Sequence, residues 1–271
     1  MKNTNKMTTK GKLIVFEGID GSGKSTQIKK VKKYIEKEYG RKVVVSSWKS
    51  SPLVGDYLKH VEELDEQPTP LAMSIIIAAD LSERVAKVIL PALAAGKVVL
   101  CDRYSYTGII RDLVVNGLDE AWLEDMYSFA PSPDMVLYFK VTDAISVQRV
   151  DSRMEAGVSK LAKKLRKKKG KISPKQMQRL IKKLKGSMSG GSMSGSMVDT
   201  LRSLKKGEKL YQINGDPLTA EIAQDQRLTL VNKLIATYEQ MSKKKHFQVI
   251  DAMQPIKAVS KQIKSLLPSV L

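Results

Sequence analysis

The chain has 271 residues, 42% of them hydrophobic, which is enough for a sizeable core. Its net charge is +19, yet residues 159–185 hold thirteen Lys or Arg and no acid, leaving +6 for the remainder, 19 less 13. No apolar run approaches the ~18 residues of a membrane span, and a single cysteine, Cys101, excludes an internal disulfide and suits a reducing compartment.

In chain order, the first ten residues are polar and lysine-bearing with no apolar middle, so they read as a frayed tail and not as a secretory signal. Leu13-Ile14-Val15-Phe16 is the first strand. A helix follows over 23–39, closed by Gly40 in the usual position after a helix end. Val43-Val44-Val45 is the second strand, running into Ser46-Ser47-Trp48-Lys49-Ser50-Ser51-Pro52. Residues 70–93 predict one long helix, its apolar face broadened by Ile75-Ile76-Ile77 and its end marked by Gly96. Val98-Val99-Leu100-Cys101 is a third strand, with Cys101 read as a small buried thiol, and it leads into Asp102-Arg103-Tyr104. Residues 135–139 and 247–250 supply the fourth and fifth strands. Continuous β-branched runs separated by helices predict a five-stranded parallel sheet with helices on both faces. Ligands on such sheets gather beyond the carboxyl ends of the strands, where Gly18, Trp48, Asp102, Lys140 and Asp251 all fall.

The densest signal is Gly18-Ile19-Asp20-Gly21-Ser22-Gly23-Lys24-Ser25. It matches the phosphate-loop pattern at every fixed position and lies between a strand and a helix, as the pattern requires. Glycines let successive amides turn inward around a phosphate, and the new helix directs its positive end there. Lys24 then adds a mobile charge for the outer phosphates, and the Ser25 hydroxyl is a candidate Mg²⁺ ligand. The loop reads as the binding site of a nucleoside triphosphate.

The run from Phe16-Glu17-Gly18 through Lys24-Ser25-Thr26-Gln27 resembles the opening of a thymidylate kinase. Ala78-Ala79-Asp80, Asp102-Arg103-Tyr104, Pro133-Asp134 and Val249-Ile250-Asp251-Ala252 add to the resemblance, which spans about 11–155 and 216–267. It is nearer to a divergent, longer branch of that family. The resemblance implies a nucleoside monophosphate kinase with a mobile lid, ATP with Mg²⁺ as donor, and a homodimer. By the same resemblance, Gly18, Gly21, Ser22, Gly23, Lys24, Ser25 and Thr26 hold the triphosphate, with Arg149 beside the donor base. Asp20 lies at the acceptor sugar and near Mg²⁺. Arg103 grips the acceptor phosphate, where a planar guanidinium can pair two oxygens. Asp102 holds Mg²⁺ through water, and Arg153 reaches the transferred phosphoryl group. Lys24, Arg103 and Arg153 are thus the expected catalytic set, and no general base is required, since phosphoryl transfer is mostly positioning and charge stabilisation.

The acceptor side departs from the family. Ser46-Ser47-Trp48-Lys49 replaces the usual Arg-Glu-Pro, and Leu81 follows the helix aspartate where members have arginine. Arg84, three residues on, shares that helix face and is the candidate substitute. The expected acceptor set is Asp20, Trp48, Lys49, Arg84, Arg103 and Tyr104, with thymidylate as the first acceptor. Trp48 reads equally as a base contact or as core filling.

Residues 156–215 have no counterpart in a compact member. Leu161 and Leu165, then Met177, Leu180, Ile181 and Leu184, space out two basic amphipathic helices, broken between Gly170 and Pro174. A run of only Gly, Ser and Met follows over 186–197. The basic stretch reads as a solvated lid extension, a nucleic-acid patch or an anionic-membrane patch. The expectation is therefore a cytoplasmic kinase formed by one domain over 11–271, interrupted by this insert. The alternative is an ATP-binding adaptor tethered through the insert to nucleic acid or membrane.

Overall fold

The apolar runs become strands. The computed structural model describes residues 10–52, 54–61, 68–167 and 217–271. In these, β1 (Lys12–Glu17), β2 (Val43–Ser47), β3 (Val98–Asp102), β4 (Met135–Lys140) and β5 (Gln248–Asp251) form one sheet in the order β2-β3-β1-β4-β5. Every neighbouring pair is parallel. Central β1 is buried on both sides, with Leu13, Ile14, Val15 and Phe16 all at most 1% exposed. Burial of each such side chain stabilises by ~1.5–3 kcal/mol. The strands reach one or two residues past their apolar runs, because ladder pairing continues onto polar ends. Phe16 and Ser47 both face Asp102, Glu17 faces Tyr138, and Lys140 faces Asp251. Those polar ends share one edge, where chain order reverses across β1, and a crevice opens at such a reversal.

Helices close both faces. α1 (Lys24–Glu38) packs with α9 (Ile256–Leu266), while α5 (Ser105–Asn116) packs with α3 (Pro70–Arg84), α6 (Glu120–Met126) and α8 (Pro217–Lys244). Shorter α2 (Val54–Val61) lies on α3, and α7 (Asp143–Lys167) follows β4. The helix expected over 70–93 is not regular. Thr69 caps it, its hydroxyl accepting from Ala72 N–H, and Pro70 takes the first position, where its missing donor costs nothing. Between α3 and α4 (Leu90–Ala94), residues Val85–Ile89 widen into a π turn in which Leu90 N–H reaches back five residues to Val85. Pro91 explains the widening: it cannot donate to the carbonyl four residues back, and its ring needs the room. The three isoleucines do not share a face either. Ile77 is buried and Ile75 is 50% exposed, since each residue turns the helix by about 100°.

The first expected basic helix is the end of α7, whose backbone continues through Leu165 to Lys167. The second, near 177–184, the 186–197 run and the amino-terminal tail over 1–9 lie outside the described residues. Among the described residues, no helix is long and apolar enough to cross a membrane.

Candidate active site

The loop between β1 and α1 is held open by its glycines and by α7. Gly18, Gly21 and Gly23 all have positive φ. At Gly21 a Cβ would stand 2.5 Å from the Ser146 carbonyl, so side chains are excluded by the close approach of α7 as well as by conformation. Ser146 donates its hydroxyl to the Asp20 carbonyl at 2.6 Å. One turn on, Arg149 donates to the carbonyls of Gly21 at 3.4 Å and Ala252 at 3.0 Å, tying the loop to the segment after β5. Gly23 caps α1 with no side chain, which leaves the positive end of the helix directed at an incoming anion. Lys24 is buried, and its ammonium donates to Gly18 O (2.7 Å), Ile19 O (2.8 Å) and Ser22 Oγ (3.2 Å). Burial foremost, then the charge of Arg103, brings its pKa down to about 7.

The end of β3 also lines the site. Ser25 Oγ donates to Asp102 Oδ2 at 2.7 Å, placing a hydroxyl and a carboxylate from different elements side by side. Arg103 takes a left-handed φ of 72°, which costs a non-glycine residue ~1–3 kcal/mol. Its N–H donates to Phe16 O, and its Nη2 donates to Asp20 Oδ1 at 2.7 Å. The guanidinium is the foremost reason the Asp20 carboxyl falls to about 2. Here lies a cavity of about 210 Å³ lined by Asp20, Gly21, Gly23, Lys24, Ser25, Thr26, Ser47, Trp48, Asp102, Arg103 and Arg153.

Of the residues expected to bind the acceptor, some reach this cavity and others do not. Trp48 lines it and also packs against the Leu58–Ile77 cluster. Lys49 lies off the cavity wall in a left-handed conformation, φ 57°. Its N–H and that of Ser51 donate to the Asp80 carboxylate at 3.1 and 2.9 Å. Two expectations need correction. Arg84 does not face the cavity: it is wholly buried, with Nε on Asp80 at 3.0 Å and Nη1 on Ser46 Oγ at 3.1 Å. A buried guanidinium needs a carboxylate partner, and the one it finds is the residue that shapes the loop after β2. The Tyr104 side chain is also in the core, 1% exposed, with its hydroxyl donating to Pro131 O.

Sequence reasoning passed over Glu17, Thr107, Tyr238, Asp80 as a loop anchor, and Ser146. Glu17 ends the central strand, fully buried, and receives Tyr104 N–H at 2.9 Å, Thr107 N–H at 3.3 Å, the Thr107 hydroxyl and the Tyr238 hydroxyl at 3.0 Å. Burial pushes its carboxyl above the ordinary range, while these donors and Arg103 pull it back. A lone acid closing an apolar strand was a readable sign for Glu17. Tyr238, inside a long helix, carried none. Cys101 is buried and its thiol is pushed up to about 12 by burial, so it is inert.

Comparison with known proteins adds to this geometry. The family described as thymidylate kinase matches residues 16–189, a range that takes in the basic stretch over 159–185. A "Probable thymidylate kinase 2" of Saccharolobus solfataricus is 43% identical over 141 residues, 52% of this chain and 64% of its own length. A "Probable thymidylate kinase" of Pyrococcus horikoshii is 37% identical over 149 residues, 53% of this chain and 72% of its own. A "Thymidylate kinase" of Caldicellulosiruptor saccharolyticus is 40% identical over 148 residues, 52% and 70% of the two lengths.

Proposed function

The chain belongs to the thymidylate kinase family, and on that premise we propose that it moves the γ-phosphoryl group of ATP to thymidylate, yielding ADP and the nucleoside diphosphate. The observation that carries this is that Lys24 and Arg103 both line one small cavity, with Asp20 and Arg153 beside them. Two cations lining one cavity suit two phosphate chains meeting in it, because they stabilise the charge on the transferred group.

In this reading Gly18, Gly21, Ser22, Gly23, Lys24, Ser25 and Thr26 hold the triphosphate, and Arg149 lies toward the donor base. Arg103 bridges the acceptor phosphate and the outer donor phosphate, and Arg153 closes over the transferred group. Asp20 serves the acceptor sugar, Trp48 its base, and Lys49 contributes positive charge nearby. A hydroxyl beside a carboxylate is a hard-oxygen set, so Ser25 and Asp102 fit Mg²⁺. Bound there, Mg²⁺ would neutralise phosphate charge. An adaptor role is not favoured, as the named relatives are kinases. A cytoplasmic setting and a homodimer belong to the same proposal. The exposed apolar pair Leu71 and Ile75, one turn apart on α3, supports the dimer.

The test is ADP release with ATP against a panel of nucleoside monophosphates. Thymidylate is expected to give the highest kcat/KM. Arg103→Lys is expected to lose about 10²–10³ in rate, as a point charge cannot reproduce a forked contact. Equal turnover of every monophosphate, or none, overturns the acceptor assignment. A loss under threefold in Arg103→Lys makes Arg103 structural.

A further inference from the structure

We infer that Tyr238 is a positioning residue for Arg103: through Glu17 and Thr107 its hydroxyl fixes the turn that holds the guanidinium at the cavity wall. This rests on the reading above that Arg103 works on phosphoryl groups there.

The chain of contacts is continuous. Arg103 precedes Tyr104, the cap residue of α5, and that helix has no side-chain cap of its own. Glu17, from the central strand, supplies one in its place by accepting the backbone N–H of Tyr104 and of Thr107. An anion at that position satisfies orphan amides and opposes the positive end of the helix. Arg103 is held on both sides of its strained peptide by β1, since its own N–H reaches Phe16 O and the next N–H reaches Glu17. Its side chain is steered as well: Nη1 donates to Thr107 Oγ1 at 3.4 Å while Nη2 donates to Asp20. The Thr107 hydroxyl therefore sits between guanidinium and carboxylate.

Tyr238 completes the assembly from α8. Its hydroxyl lies 3.0 Å from Glu17 Oε2 and 2.8 Å from Thr107 Oγ1. Its ring stacks on Tyr138 of β4, with centroids 5.4 Å apart and planes 7° from parallel, and is 2% exposed, so the hydroxyl has little freedom to leave. Three oxygens thus meet in a buried triangle with two hydroxyl hydrogens between them. With Glu17 ionised, the Thr107 hydrogen points at the carboxylate, which leaves its lone pairs for Arg103 and orients them. Tyr238 gives the second hydrogen. Without it, Thr107 is the sole hydroxyl donor left to a buried carboxylate, and either Thr107 or Glu17 must re-orient. The first thing such a movement displaces is Arg103.

Tyr238→Phe removes the hydroxyl and keeps the stacked ring. The expected result is a fall in kcat of about tenfold with KM for ATP changed less than about threefold. That is smaller than the ~10²–10³ of losing a direct donor, because the residue acts at one remove. Thr107→Val should reproduce the fall and Thr107→Ser should restore activity, which keeps the test alive if Tyr238→Phe does not fold. The guanidinium ¹⁵Nε–¹³Cζ resonance of Arg103, assigned with Arg103→Lys, should shift in Tyr238→Phe. A folded Tyr238→Phe with wild-type kcat and an unshifted Arg103 resonance overturns the inference, whatever its melting temperature does. If the wild-type protein transfers no phosphoryl group, the proposed function fails on its own, and the Arg103 resonance alone decides whether Tyr238 positions that side chain.

Discussion

Lys24 is the residue whose charge state the fold has altered most usefully. Its ammonium lies curled on three oxygens of its own loop, buried, with its pKa brought down to about 7 from the 10.5 of a free lysine. A phosphate drawn into the loop adds negative charge beside it and raises that value again. The sign follows: above about pH 7 the free protein holds Lys24 partly neutral, and nucleotide binding makes it take up a proton. Calorimetric titration with ATP at about pH 8, where the γ-phosphate is already ionised, should therefore give a binding enthalpy that varies with the ionisation enthalpy of the buffer. Uptake should approach one proton, shrink toward zero at about pH 6, and vanish in Lys24→Met. Buffer-independent heat at the higher pH would contradict the depressed value.

The loop after β2 shows what one buried pair does for an element. Asp80 and Arg84 are four residues apart on α3, nearly inaccessible, with an N–O distance of 3.0 Å. The carboxylate accepts from Lys49 and Ser51, and the guanidinium reaches Ser46, so both ends of the loop hang from α3. Asp80→Ala leaves a buried cation alone and two amides unsatisfied. It should destabilise the fold by about 3–5 kcal/mol. Urea unfolding measures this, and a cost below about 1 kcal/mol would mean that water replaces the carboxylate. Trp48 rides on the same loop, so a milder Asp80→Asn variant is expected to weaken acceptor binding more than ATP binding.

For the whole molecule, the open question is how much of the chain the chemistry uses. The sheet, the phosphate loop, Arg103 and the α7 residues Ser146, Arg149 and Arg153 all belong to the described residues outside 168–216. We propose that excising 159–197 with a short Gly-Ser bridge leaves a folded protein that still binds ATP. Its affinity for DNA, RNA or anionic vesicles should drop sharply, since thirteen basic groups leave with the segment. In the intact chain that affinity should fall steeply with salt. Binding at two salt concentrations, beside ATP turnover of both forms, decides it. Loss of turnover in a folded deletion variant makes the segment part of the working lid.

What the amino-acid order determined alone is what local periodicity and spacing encode. Five strands, their parallel arrangement, the phosphate loop and the shared edge were all legible, because each depends on a contiguous run whose apolar pattern or glycine content admits one backbone solution. The π turn at Val85–Ile89 was nearly legible from Pro91. Only the tertiary structure decided where single side chains point. Arg84 and Tyr104 were expected at the acceptor from their motif positions, yet both turn into the core. Glu17, Thr107 and Tyr238 lie far apart in the chain and become one hydrogen-bonded group only because α5 and α8 pack on each other beside the end of β1. A motif records residues that stay adjacent along the backbone. Which face a helix buries, and which distant hydroxyl it brings to a carboxylate, is settled by packing, where a turn of about 100° per residue separates a buried side chain from an exposed neighbour.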